Sequence, residues 1–116
     1  MIEIKKLPPE RWQDYRKLRL ESLKADPVAF GSSYEEEISR PEDFWRNRIG
    51  SVLFAVENNR PVGMVRYEFE GRVKNKHVAA IYAMYVNQKF RNRGIGKRLM
   101  DGVISLIAEN KDIRNT

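Results

Sequence analysis

Met84-Tyr85-Val86-Asn87-Gln88-Lys89-Phe90-Arg91-Asn92-Arg93-Gly94-Ile95-Gly96-Lys97-Arg98-Leu99 reads as the end of an apolar strand, a short basic loop, a glycine pair and the start of an amphipathic helix. Glycines at a helix start let the backbone come close to a ligand. The unpaired N–H groups of the first turn then face that ligand, and the positive end of the helix dipole favours an anion. Arg91, Arg93, Lys97 and Arg98 add charge in the same place, and a pyrophosphate suits such a nest. Two familiar phosphate motifs fail here. A P-loop needs Gly-Lys followed by Ser or Thr, but Gly96-Lys97 is followed by Arg98, and Arg91 stands where its first glycine belongs. A dinucleotide fingerprint needs a third glycine, and Leu99 takes that place.

Working outward, Val78–Val86 is apolar on both faces and is expected to be a central strand of its sheet. The helix that follows the glycines is predicted over about Gly94–Glu109, with Ile95, Leu99, Val103 and Leu106-Ile107 as its apolar stripe and Asn110 at its end. Upstream, Val52–Glu57 and Val62–Glu70 read as strands joined by a tight turn at Asn58-Asn59-Arg60-Pro61, and Gly71–Lys76 as a polar turn. Met1–Leu7 alternates as a first strand, with Ile2 and Ile4 on one face. Pro8-Pro9-Glu10 opens a helix that carries Trp12, Tyr15, Arg19 and Leu23 at helical spacing, and Asp26-Pro27 stops it. Val28–Ser33 reads as loop and Tyr34–Ile38 as a short helical piece whose Glu35-Glu36-Glu37 form a solvated face. Pro41-Glu42-Asp43 opens another helix, with Ser39 as its cap and Gly50 as its stop. Trp12, Phe44 and Trp45 sit at spacings that suit the core. The order is β-α-α-β-β-β-α, a mixed α+β arrangement expected to form one domain over residues 1–116.

The motif Arg91-Asn92-Arg93-Gly94-Ile95-Gly96 matches Arg/Gln-x-x-Gly-x-Gly/Ala, and here the chain resembles the GNAT superfamily of N-acetyltransferases. Leu18-Arg19-Leu20-Glu21-Ser22-Leu23, followed by Pro27 to Glu37, is similar to the N-terminal half of many bacterial members. The resemblance implies transfer of the acetyl group of acetyl-coenzyme A to a primary amine of a small molecule or protein. It implies that Arg91, Asn92, Arg93, Gly94, Ile95, Gly96 and Lys97 hold the pyrophosphate, while Met84, Tyr85 and Val86 pair through their backbone with the pantetheine arm. Direct attack by the amine needs no covalent enzyme intermediate, which agrees with a chain that has no cysteine.

The family fold continues past this helix with a further strand, a helix and a hairpin. The chain is therefore expected to be the N-terminal portion of such a fold, truncated after the pyrophosphate-binding helix. The tyrosine that the family uses to protonate the thiolate has no counterpart here, and the strand that often carries its basic glutamate has no acid. His77, Tyr82 and Glu68 are the weak catalytic candidates, with Tyr85 and Glu70 behind them. His77 stands out because an ordinary imidazole titrates near pH 6.5, a value suited to a general base. An uncovered strand edge and helix face lead us to expect a homodimer or other self-association.

Composition narrows the alternatives. In 116 residues, 41% are hydrophobic, enough for a packed core. Without cysteine, and with one histidine, a zinc site is disfavoured and no metal is expected. The longest apolar run, Val78–Val86, is far short of the roughly 20 residues of a membrane span, and the N-terminus has no signal pattern, so a cytoplasmic protein is the default. The net charge is +6, yet residues 71–100 alone contain eight basic residues and no acid, so the remainder sums to −2. That local charge admits two other classes: a CoA-binding fragment that does not transfer acetyl, and a nucleic-acid module. The latter is disfavoured because no interleaved aromatic platform accompanies the charge.

Overall fold

Val52–Glu57 (β2) is buried on both faces, and the other elements are arranged around it. The computed structural model describes residues 1–25, 34–73 and 76–114, and within these the side chains outside 70–79 and 109–114. β1 (Ile2–Lys5) flanks β2 on one side and β3 (Arg60–Val73) on the other, and β3 carries β4 (Lys76–Val86). All three pairings are antiparallel, in the order β1-β2-β3-β4. β2 turns into β3 through Asn58 and Asn59, whose φ values of 49° and 66° match the two-residue turn that suits twisted hairpins.

Alternation along β2 divides the core. Val52, Phe54 and Val56 face α1 (Trp12–Ala25) and α3 (Glu42–Arg48), where Tyr15, Trp45 and Phe54 meet edge to face at 5.4 and 6.0 Å between ring centres. Leu53 and Ala55 face α4 (Ile95–Arg114), whose Ile95, Leu99 and Val103 are buried against them. Gly102 makes that approach possible, since a β-carbon there would meet Leu53 Cδ2 at 2.5 Å. Helices therefore cover both faces of the sheet.

Several sequence expectations need correction. β4 is an edge strand among the described residues, not a central one. Its apolar character on both faces comes from Tyr85 packing under α1 and α3 while Met84 and Val86 pack toward α4. Glu37 is not on a solvated face. In α2 (Tyr34–Ile38) it is buried, with its carboxylate in a two-point fork with Arg19 of α1, both contacts at 3.0 Å. Ser39 bonds back to the carbonyl of Glu36 and closes α2, while α3 begins after Pro41 without a side-chain cap. α3 gives way at Ile49 to a 3-10 turn containing Gly50. α1 starts at Trp12, after a 3-10 turn at Pro9–Arg11. α4 runs through Asn110, and β3 and β4 extend to Val73 and Lys76. The loop read at Val28–Ser33 and the stop at Asp26-Pro27 lie outside the described residues.

Candidate functional site

β4 reaches its C-terminal end beside the start of α4, and the angle between them is an open groove of about 760 Å³. Ile81–Val86 form one wall, and Phe90, Arg91, Asn92, Gly94, Ile95 and Gly96 the other. Eight of the ten residues singled out for cofactor contact line it, together with Tyr82; Arg93 and Lys97 stand exposed at its rim.

The loop is held by its own backbone and by Asn87. Asn87 N–H donates to the Val62 carbonyl at 2.8 Å, and its side-chain oxygen accepts from Lys89 N–H at 2.9 Å. Arg91 Nε donates to the Val86 carbonyl at 2.9 Å, which fixes the guanidinium at the groove mouth, 5.8 Å from the Tyr85 ring centre. Asn92 and Gly94 both have positive φ, at 65° and 75°, on either side of Arg93, and anion nests are built from such an alternation of hand. The Gly94 carbonyl accepts the first bond of α4, from Arg98 N–H at 3.1 Å. The N–H groups of Ile95, Gly96 and Lys97 belong to the first turn, which has no partner within the helix. Of the nearby cations, Lys97 pairs with Asp101 at 2.9 Å, Arg98 bonds the Ile2 carbonyl at 2.9 Å and Arg93 lies over the Phe90 ring at 5.2 Å.

The other end of the groove is shaped by a break in pairing. Arg66 lies opposite Ala83, but the next residue, Tyr67, lies opposite Ile81. Tyr82 is therefore an extra residue in β4, a bulge that bends the strand at the groove. Of the weak catalytic candidates, Tyr82 and Tyr85 are on the groove wall. Glu68 is exposed on β3, opposite Ala80, and pairs with Arg66 at 3.7 Å. His77 sits in β4 opposite Arg72, four residues and about 13 Å along the strand from Ile81. The side chains of His77 and Glu70 lie outside the described residues.

Sequence reasoning missed Glu21. From α1 its carboxylate reaches 64 residues along the chain to accept from the Tyr85 hydroxyl at 2.8 Å, and it also accepts from the Asn87 amide at 2.7 Å. It ties α1 to the strand end that forms the groove. No local spacing could have announced a bond of that separation. Burial, the hydrogen bond to Glu21 and the nearby carboxylate charge push the Tyr85 hydroxyl up to about 12, and burial does the same for Tyr15. A phenol with its folded pKa raised binds its proton more tightly when folded. Its contribution is therefore complete below the ordinary value of 10 and is lost as pH rises from there through about 12. We expect alkaline destabilisation in that window, flattened in a Tyr15→Phe/Tyr85→Phe variant; an equally steep decline in the variant would contradict this.

The sequence profile of the acetyltransferase (GNAT) family matches residues 9–115, so the chain belongs to the GNAT family of N-acetyltransferases. No curated protein matches the chain in sequence. Its fold is similar to that of an aminoglycoside acetyltransferase from an uncultured soil metagenomic sample, with a TM-score of 0.76 and 20% identity over 96% of this chain and 74% of that one. It is also similar to a ribosomal-protein-alanine N-acetyltransferase from Brucella melitensis biovar Abortus, with a TM-score of 0.70 and 21% identity over 97% of this chain and 74% of that one. A PaiA N-acetyltransferase from Thermoplasma acidophilum, solved in complex with coenzyme A, aligns with a TM-score of 0.72 and 20% identity over 95% of this chain and 74% of that one. Among the described residues no helix is long and apolar enough to cross a membrane.

Proposed function

We propose that residues 1–116 act as one domain that binds acetyl-coenzyme A in the β4–α4 groove and transfers the acetyl group to a primary amine. The observation that carries this reading is the coincidence in one groove of the family's glycine motif, two residues of positive φ and a bulged strand edge. The Thermoplasma neighbour holds coenzyme A, and the groove's size suits a ligand of that kind. Acetyl-coenzyme A supplies the acyl group already activated as a thioester. The N–H groups between Arg93 and Lys97 hold the pyrophosphate, with Arg91 beside them. The outer edge of Met84–Val86 aligns the pantetheine arm by backbone pairing. At the bulge, N–H groups near Tyr82 and Ala83 polarise the acyl carbonyl toward attack. Tyr82 stands nearest the reacting end, with Glu68 and His77 farther off, and no one of them is assigned as base. A cytoplasmic site of action agrees with this cosubstrate.

The named neighbours act on unlike amines, aminoglycosides and a ribosomal-protein alanine, so the shared fold does not select an acceptor. Release of free thiol from acetyl-coenzyme A, dependent on both protein and an added amine, tests the proposal. Amine-dependent release from a panel of amino acids, peptides and aminoglycosides is the expected result. Tight coenzyme A binding with no release above background for any amine would leave a binder and contradict the transfer.

A further inference from the structure

The loop from β4 to α4 is built on Asn87. Its N–H donates to the Val62 carbonyl at 2.8 Å, and its own carbonyl accepts from Phe90 N–H at 2.9 Å. Its side-chain oxygen accepts from Lys89 N–H at 2.9 Å, while its side-chain nitrogen donates to Glu21 at 2.7 Å. The two side-chain bonds depend on each other. An amide has an accepting end and a donating end, whereas a carboxylate only accepts. Glu21 therefore draws the nitrogen of Asn87 and leaves the oxygen to Lys89. That oxygen caps the 3-10 turn Gln88–Phe90, which delivers Arg91 to the groove. The same carboxylate oxygen, Oε2, also accepts from the Tyr85 hydroxyl at 2.8 Å. Tyr85 lines the groove, and the Arg91 guanidinium stands 5.8 Å from its ring centre, within reach of cation–π attraction. One carboxylate of α1 thus grips Tyr85 and Asn87, on either side of Val86, whose carbonyl holds Arg91 Nε at 2.9 Å. Residues 71–100 contain no acid, so this carboxylate is brought to the basic segment from far along the chain.

We infer that Glu21 is a positioning residue for the cosubstrate: through Asn87 and Tyr85 it sets the loop and Arg91 in the geometry that receives a pyrophosphate. The inference deepens the proposed function and rests on its placement of acetyl-coenzyme A in the β4–α4 groove. Glu21 is not among the residues that line that groove, so it acts through those that do. A loop held in advance spares the ligand the cost of ordering it. The effect falls on the pyrophosphate end. The backbone of Tyr85 is held by its pairing with Met64, so the pantetheine arm keeps its alignment without Glu21.

The test measures binding of coenzyme A by calorimetry, and turnover with acetyl-coenzyme A or S-acetylpantetheine, which has the thioester but no pyrophosphate. Glu21→Met keeps the reach of the side chain and removes the acceptor. It is expected to weaken coenzyme A binding about tenfold or more and to raise the KM for acetyl-coenzyme A to match. Its kcat should stay within about twofold of wild type, and S-acetylpantetheine should be used equally well by both. Glu21→Gln should behave as wild type, because its Oε1 can accept both bonds. Asn87→Asp sets two carboxylates face to face and should reproduce the loss. Glu21→Gln/Asn87→Asp should restore affinity, since the amide at position 21 then donates the same bond in reverse. That pair carries the test if Glu21→Met folds poorly. Wild-type affinity in folded Glu21→Met, a loss equal for both thioesters, or no recovery in the paired variant would overturn the inference. Glu21-dependent binding of coenzyme A without transfer to any amine would refute the transfer and uphold the positioning role. Normal transfer indifferent to Glu21 would do the reverse, and a wild-type chain that binds no coenzyme A would overturn both.

Discussion

Gly96→Val is expected to weaken coenzyme A binding by about a hundredfold, roughly 2.7 kcal/mol, while the protein folds as before. A β-carbon at position 96 meets nothing closer than Met84 Sδ, at 3.7 Å, so the unliganded backbone accommodates it. Valine also costs a helix less than glycine does. The branched side chain instead fills the space beside the first-turn N–H groups that a pyrophosphate must enter. Losing one or two charge-assisted hydrogen bonds accounts for the size of the effect, at about 1.5–3 kcal/mol each. Calorimetric titration together with a melting curve separates the two outcomes. Unchanged affinity in a folded variant would remove the pyrophosphate from this loop. Gly94 gives a less clear test, because its φ of 75° makes any side chain strained before a ligand is considered.

The second large effect concerns stability. Arg19→Met should cost about 3–5 kcal/mol, because Glu37 would keep a buried carboxylate without its forked partner. Denaturant unfolding reads this directly. The paired variant Arg19→Met/Glu37→Met should recover much of the loss, since a desolvated ion pair returns little net energy over packed apolar groups. A single variant within about 1 kcal/mol of wild type would mean that the fork contributes little. The pair matters to the groove because it sets α2 against α1, and α1 in turn carries Glu21 to Tyr85 and Asn87.

What the sequence disclosed and what it hid divide by the range of the forces involved. The Asn58-Asn59 turn, the strand at Val52–Glu57 and the stripe Ile95, Leu99 and Val103 are local patterns, and each corresponds to an element of the structure. The glycine pair was legible because its chemistry is compressed into six consecutive residues. The burial of Glu37 and the reach of Glu21 depend on partners 18 and 64 residues away, so the acidic character of Glu37 suggested solvent and nothing local marked Glu21. The bulge at Tyr82 left no mark because no glycine accompanies it. Apolarity on both faces of β4 suggested a central strand because packing against two helix layers and burial between two strands leave the same residue pattern. Asn110 suggested a helix end, but asparagine only mildly disfavours a helix interior, and α4 continues through it.

Amide spectra of the isotope-labelled chain, recorded during titration with acetyl-coenzyme A, examine the groove most directly. The predicted result is saturable shifts concentrated at Met84–Val86 and Arg93–Lys97, with β1 and the β1–β2 pairing undisturbed. Shifts absent from those amides, or gathered instead in the cleft that Lys6 shares with Arg98 and Ser105, would contradict the placement of the cosubstrate between β4 and α4.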